Sequence, residues 1–422
     1  MHLIIFSSTL TPRIKYIFSF IFKDILKIEP EFTGNSQYFL QSNQAKISYG
    51  ESPLADELFF KSTSLLFSNK LEDFSIKTTI FGDYKVPFPV EGSALPFDVF
   101  AASFFIVSRF EEYLHQKKSH EDFKPLKSYQ HKWKLLDKPI IDAWALILKN
   151  MIRKKYPAFK FHDKSFSHHP TLNFKVLPTA PKGFLLKTKF FFQAAFKKEV
   201  DYFGSKFDQI TGANVNTETL IPGLEKTFSD KRNKPLYFIE FPNVPIEFIG
   251  QDKISTFLQN KSVGLLRPCA GEIQKSNAIK SSLLKLKKLY PLQVNLMSQQ
   301  LEILKFPSCY LNLLNAGITS DYSMGYADMA GFRAGTCTAF NWYDLQLEKV
   351  TPLNIKPYCI TDTALEHMPL KEALATVEEY VAIVRFVDGT FYSSWQLKSL
   401  SDNLKVKKLK TLFKEMLKYA GN

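Results

Sequence analysis

Two rhythms of apolar and polar positions run along this chain. The first is helical. In "TPRIKYIFSFIFKDIL" (11–26), Ile14, Ile17, Phe18, Ile21, Phe22 and Ile25 mark one face, with Thr11 placed to cap and Pro12 in the first turn. "LPFDVFAASFFIVSRFEEYL" (95–114) repeats the pattern through Phe100, Phe104, Val107 and Phe110. A third helix is predicted in "KPIIDAWALILKNMIRKKYP", ending before Pro157. Short strand-like runs, "HLIIF", "KISYG" and "ELFFK", lie around them. Residues 1–165 therefore read as a mixed α/β domain.

"FHDKSFSHHP" (161–170) reads as a linker. Beyond it the second rhythm, alternation, predicts strands in "TLNFKVL", "KPLYFIEF", "KSVGLLRP", "QVNLMS", "AGITSDYS", "NIKPYCI" and "GTFYSSWQ". Helical patterns fall between many of them: "KISTFLQNK", "NAIKSSLLKLKKLY", "SCYLNLLNAG" and "LKEALATVEEYVAIVRF". "KGFLLKTKFFFQAAFKKEVDYF" is a basic, Phe-rich helical pattern, and "NLKVKKLKTLFKEMLKYA" closes the chain as an amphipathic helix. Strands alternating with helices imply parallel pairing through right-handed crossovers. About seven such units favour a (β/α) barrel over an open sheet. The expected architecture is α/β: residues 1–165 as an N-terminal domain, then 166–422 as an irregular barrel.

Composition changes this picture little. The 422 residues are 45% hydrophobic, enough for a large core, and 40 of them are Phe. A net charge of +14 favours anionic surfaces such as lipid, acidic glycan or nucleic acid, but it also fits a plain solvated surface. No nucleic-acid-binding motif is present, so nucleic acid is not an expected partner. Cys269, Cys309, Cys337 and Cys359 form no C-x-x-C pair, which suits a reducing compartment. The N-terminus is a poor signal peptide and no apolar run reaches 18 residues, so a cytoplasmic location is expected, with peripheral attachment to the inner membrane through 182–200 as an extension.

The least ordinary passage is "GYADMAGFRAGTCTAF" (325–340), where glycines and small residues surround an arginine. Such composition suits backbone that comes close to something. With "TPRIKYIFSFIFKDIL", "ALPFDVFAASFFIVSRFEEY", "KPIIDAWA", "KPLYFIE", "TPLNIKPYCITDTAL" and "GTFYSSWQLKSLSD", it resembles polysaccharide deacetylase-like proteins of the NodB-homology group, in a two-domain form of the Bacteroidetes type. The resemblance implies an irregular (β/α) barrel and metal-assisted amide hydrolysis. In that chemistry an Asp and two His hold a divalent metal, a second Asp is the base, and a His on the last strand is the acid.

At the matching positions this chain departs from the pattern. Asn173 and Lys175 stand where aspartates are implied, Leu266 and Arg267 at a His motif, and Gln300 and Gln396 at two further His positions. Of the eight histidines only His367 follows His169. Adjacent residues of an extended segment point to opposite sides, so His168 and His169 would not share one metal. No catalytic residue, no metal ligand and no cofactor is therefore expected. Arg333, Asp362 and Trp395 match residues that shape the family's site. Each also has a plain structural reading: ion pair, helix cap and core.

The reading is a metal-free, inactive homologue that binds a glycan or a partner protein in cell-envelope carbohydrate metabolism. One specific form is a cationic pocket of Lys175, Arg267 and Arg333 with Asp362, taking an anionic sugar such as a sugar phosphate or uronate. The alternatives are an active carbohydrate N-deacetylase with an atypical site and a membrane-surface interaction protein. Metal-free catalysis by Asp362, Cys269 or Cys337 is the weakest, because nothing supplies a His base for a Cys nucleophile.

Overall fold

The computed structural model describes residues 2–119, 121, 123–175, 217–228, 235–240, 256–258, 261–268, 276–289, 294–300 and 304–421. The basic segment 182–200 and Cys269 lie outside them. No helix among the described residues is long and apolar enough to cross a membrane.

The N-terminal half carries a four-stranded sheet of β1 (Leu3–Phe6), β2 (Pro30–Thr33), β3 (Ala45–Gly50) and β4 (Leu58–Lys61) in the order β2-β1-β3-β4. All its pairings are parallel. The helix Pro12–Ser19 starts as its sequence dictates: the Thr11 side chain accepts from the Ile14 N–H, and Pro12 sits where no donor is needed. It runs on into a π-helical stretch, Phe20–Ile25. A two-stranded antiparallel ribbon, β5 (Thr78–Phe81) and β6 (Tyr84–Pro87), lies beside this unit.

The long helix expected over 95–114 is two helices, Val99–Val107 and Phe110–Lys118. They are parted at Arg109, whose φ of 57° is left-handed. Its guanidinium is drawn to the Ile106 and Arg333 carbonyls, Gln130 and Glu112, and those bonds offset the cost of that backbone. The third helix, Ile140–Lys155, ends before Pro157 as expected.

The C-terminal half is a nine-stranded sheet. Its strands are β7 (Ser167–Lys175), β8 (Leu236–Glu240), β9 (Ser262–Pro268), β10 (Leu296–Gln300), β11 (Ser320–Asp321), β12 (Phe340–Asp344), β13 (Lys349–Ile355), β14 (Ile360–Thr361) and β15 (Thr390–Gln396). Their order is β12-β13-β11-β10-β9-β8-β7-β15-β14. Every pairing is parallel except β12 with β13. The expectation held no antiparallel hairpin there. Strand β7 also begins inside the segment read as a linker: Ser167 to Pro170 already pair with β15.

The sheet is strongly rolled. Tyr322, just after β11, and Tyr392 on β15 are five strands apart, about 24 Å on a flat sheet. Their rings lie 6.0 Å apart, and Tyr322 also meets Phe238 of β8 at 5.1 Å. Phe238, Leu266, Tyr322, Tyr358 and Tyr392 thus form a small core inside the roll. The outer face joins a far larger core shared with the N-terminal half. Tyr16 packs on Tyr343 at 4.9 Å and Phe20 on Phe340 at 5.9 Å, so the first helix lies against the β12–β13 hairpin.

Candidate functional site

Strand alternation decides what the inside of the roll presents. Asn173 pairs in register with Phe238 and with Gln396, and Leu266 with Ser298. Paired residues share a face, so Asn173, Leu266, Ser298 and Gln396 belong with the inner aromatic cluster. The Asn173 amide donates to Ser394 Oγ at 2.9 Å, while its Oδ1 is buried without a hydrogen-bond partner. Leu266 is part of the apolar packing. His168 and His169 face opposite ways, as alternation requires. His168 lies 3.3 Å from Ser393 Oγ, and His169 stacks on Tyr392 at 5.7 Å.

Lys175, Arg267, Arg333 and Asp362 have separate partners. Lys175 is exposed at the end of β7 and meets Glu240 of β8 at 3.0 Å. Arg267 is paired with Gln299 and so lies on the outer face, where it donates to the Ala278 carbonyl and to Ser282 of the helix Ser276–Leu289. A one-residue difference in strand position thus sends Lys175 and Arg267 to opposite sides of one sheet. Asp362 is buried near the ends of β14 and β15. It accepts from the Gln396 N–H at 2.8 Å, the Ser399 hydroxyl at 2.5 Å and the Thr363 N–H at 2.9 Å. The helix cap there is Thr361. Trp395 is fully buried on the outer face against Phe413 at 5.1 Å. The four charged side chains expected to form one cationic pocket are not brought together.

Arg333 is held by a buried carboxylate. Its Nε and Nη2 donate to Glu112 at 2.9 and 2.6 Å, and its Nη1 to the Gly325 carbonyl at 3.1 Å. Glu112 also receives Arg109 at 2.7 Å. Burial pushes the Glu112 carboxyl up, but the Arg333 and Arg109 guanidiniums and their hydrogen bonds pull it further down, to about 2. Nearby, Asp142 accepts from the Thr336 and Thr338 hydroxyls, each at 2.5 Å, and from the Cys337 N–H at 3.1 Å. Gln130 reaches the Phe332 carbonyl at 3.0 Å, and Ile141 donates to the Gly335 carbonyl at 3.0 Å.

The unusual loop therefore packs against the helices of the N-terminal half. Two of its glycines allow close approach, Gly325 within the C-terminal half and Gly335 to an N-terminal helix. A Cβ on Gly325 would meet the Tyr358 ring at 2.2 Å. Gly335 has φ +65° with the Ile106 methyl where its Cβ would go. Sequence reasoning missed Arg109, Glu112, Asp142 and Glu240. A signal existed for Asp142, an acid inside the apolar run "PIIDAWALIL", and for the i,i+3 spacing of Arg109 and Glu112.

The inner positions do not fit the divalent metal that the resemblance implies. Amides, hydroxyls and an alkyl chain stand where carboxylates and imidazoles are needed. Among the described residues no group of three or more His, Cys, Asp or Glu is placed to hold a metal ion.

A family of unknown function, DUF7033, matches residues 3–157. No curated protein matches. A solved structure from Mycobacterium smegmatis, assigned as a polysaccharide deacetylase, is similar over 62% of this chain and 86% of its own length, at 11% identity and a TM-score of 0.36. A likeness of that size carries no chemistry to this chain.

Proposed function

We propose that the protein is a non-catalytic relative of the polysaccharide deacetylases, working without a metal, that binds a glycan or a partner protein in carbohydrate metabolism of the cell envelope. The observation supporting this is the donor set on the inner face of β7, β9, β10 and β15. Asn173 is turned to Ser394, Leu266 is packed among aromatic rings, and Gln396, in register with Asn173, offers only an amide. Hydrolysis of an amide by activated water needs anionic or imidazole ligands there. A cytoplasmic place goes with this reading, from the scattered cysteines.

Metal content of the purified protein, together with acetate release from chitooligosaccharides in added zinc, cobalt or nickel, tests the proposal. The expected result is no equimolar metal and no acetate above the buffer blank. One tightly held metal per chain, or metal-dependent acetate release, would overturn it.

A further inference from the structure

A cavity of about 350 Å³ opens in the N-terminal half, far along the chain from the inner face of the large sheet. Its floor is apolar: Leu65 and Phe88 are buried and Phe74 is half-buried. Its exposed rim carries Ser64, Lys70, Glu72, Asp73, Ser75 and Lys77. The rim holds two cations and two carboxylates. Lys70 meets Glu72 only loosely, at 3.8 Å, and Asp73 leans on Lys118.

The walls are held in place from behind. Buried Asp98 joins both sides: its N–H donates to the Phe88 carbonyl at 2.9 Å, and its Oδ2 accepts from the Thr63 N–H and hydroxyl at 2.7 and 2.9 Å. Phe88 sits at φ 61°, a costly conformation for an aromatic residue, pinned also by its N–H to the Lys77 carbonyl at 3.1 Å. Arg13, fully buried, donates to the Leu65 carbonyl at 2.9 Å and the Lys70 carbonyl at 3.2 Å. The same guanidinium is clamped by Glu348 of the C-terminal half at 2.8 and 2.5 Å. Fixed walls lower the ordering cost of binding.

We propose that this cavity binds a small zwitterion with an apolar side chain, of amino-acid size. A rim that carries both signs disfavours a ligand of one sign, and the aromatic floor disfavours one that is polar throughout. Lysine and serine groups suit a carboxylate, the loosely paired Glu72 suits an ammonium, and the floor takes the side chain. The volume stands at the low end of the roughly 300–1,000 Å³ usual for small-molecule sites, which fits one residue better than a chain.

Calorimetry and saturation-transfer NMR on the full chain test this with L-leucine and L-phenylalanine as probes. N-acetyl-L-leucine lacks the ammonium, L-leucinamide lacks the carboxylate, and glucose and inorganic phosphate serve as the polar comparisons. Expected is binding of at least one free amino acid at millimolar concentration or below, weakened about tenfold or more in both capped forms. Lys77→Glu, on an exposed side chain, should weaken the free amino acid about tenfold with an unchanged melting temperature. Ser75→Trp, which fills the rim, should abolish binding and serves if Lys77→Glu lowers the melting temperature. No binding of either amino acid, equal binding of the capped forms, binding of glucose or phosphate alone, or full affinity in Ser75→Trp would overturn the proposal. None of these outcomes bears on metal content or acetate release.

Discussion

Arg333 grips Glu112 across 221 positions of sequence, with Nε and Nη2 on the two carboxylate oxygens at 2.9 and 2.6 Å. Both side chains are buried, and Arg109 closes the cluster from the same helix end as Glu112. This bidentate pair joins the Phe110–Lys118 helix to the loop before β12.

Removing the carboxylate should therefore unfold more than it reshapes. Glu112→Ala leaves two buried guanidiniums without their anion, and a loss of about 3–5 kcal/mol is expected. Urea denaturation measures it. Arg333→Ala should fall in the same range, and the double variant should lose much less than the sum. Strict additivity would show that the pair is not coupled.

Glu111 next door behaves in the opposite sense. Burial pushes its carboxyl up to about 7 from 4.5, opposed by the Tyr129 N–H and by Arg109. A raised carboxylate binds its proton more tightly when folded, so its contribution is full below pH 4.5 and lost as pH rises through 7. Glu112, held low, contributes fully above pH 4.5 and loses that as pH falls from there to about 2. Stability should thus decline between about pH 4.5 and 7 by up to about 3 kcal/mol on account of Glu111. Glu111→Gln should flatten that slope relative to the parent protein. Parallel pH profiles for the two proteins would refute the assignment.

Gly325 tests the packing of the loop. With an added Cβ only 2.2 Å from the Tyr358 ring, Gly325→Ala should cost about 1–3 kcal/mol. Tyr358→Leu in the same chain should recover part of that loss, since it vacates the contact. Thermal melts of the four proteins in the cycle give the coupling, and a cost unchanged by Tyr358→Leu would place the clash elsewhere.

Asp142 ties the same loop from another helix. Asp142→Ala strands the hydroxyls of Thr336 and Thr338 and the Cys337 N–H, and a loss of about 2–4 kcal/mol is expected. Amide exchange should quicken at Cys337 and Thr338 before it does in β7. Uniform quickening throughout the chain would count against a local role.

Local chemistry determined much of this protein from sequence alone. Thr11 and Pro12 start a helix wherever the chain goes, because capping and proline's fixed φ act within a few residues. Alternation in "TLNFK" determined that Asn173 and Lys175 share one face of a strand, and that His168 and His169 do not. The identity of the inner positions, amide and alkyl in place of acid and imidazole, is likewise in the sequence. Tertiary structure decided the rest through contacts with no local trace. Arg109 breaks a continuous helical pattern because distant Arg333 offers its carbonyl and Glu112 its charge. Arg267 turned outward because register with β10 set its face, which no spacing within one strand reveals. The passage from Gly325 to Phe340 had the composition for close approach. Whether it approached a ligand or a neighbouring helix rested on where Glu112, Gln130 and Asp142 came to lie, about two hundred residues earlier in the chain.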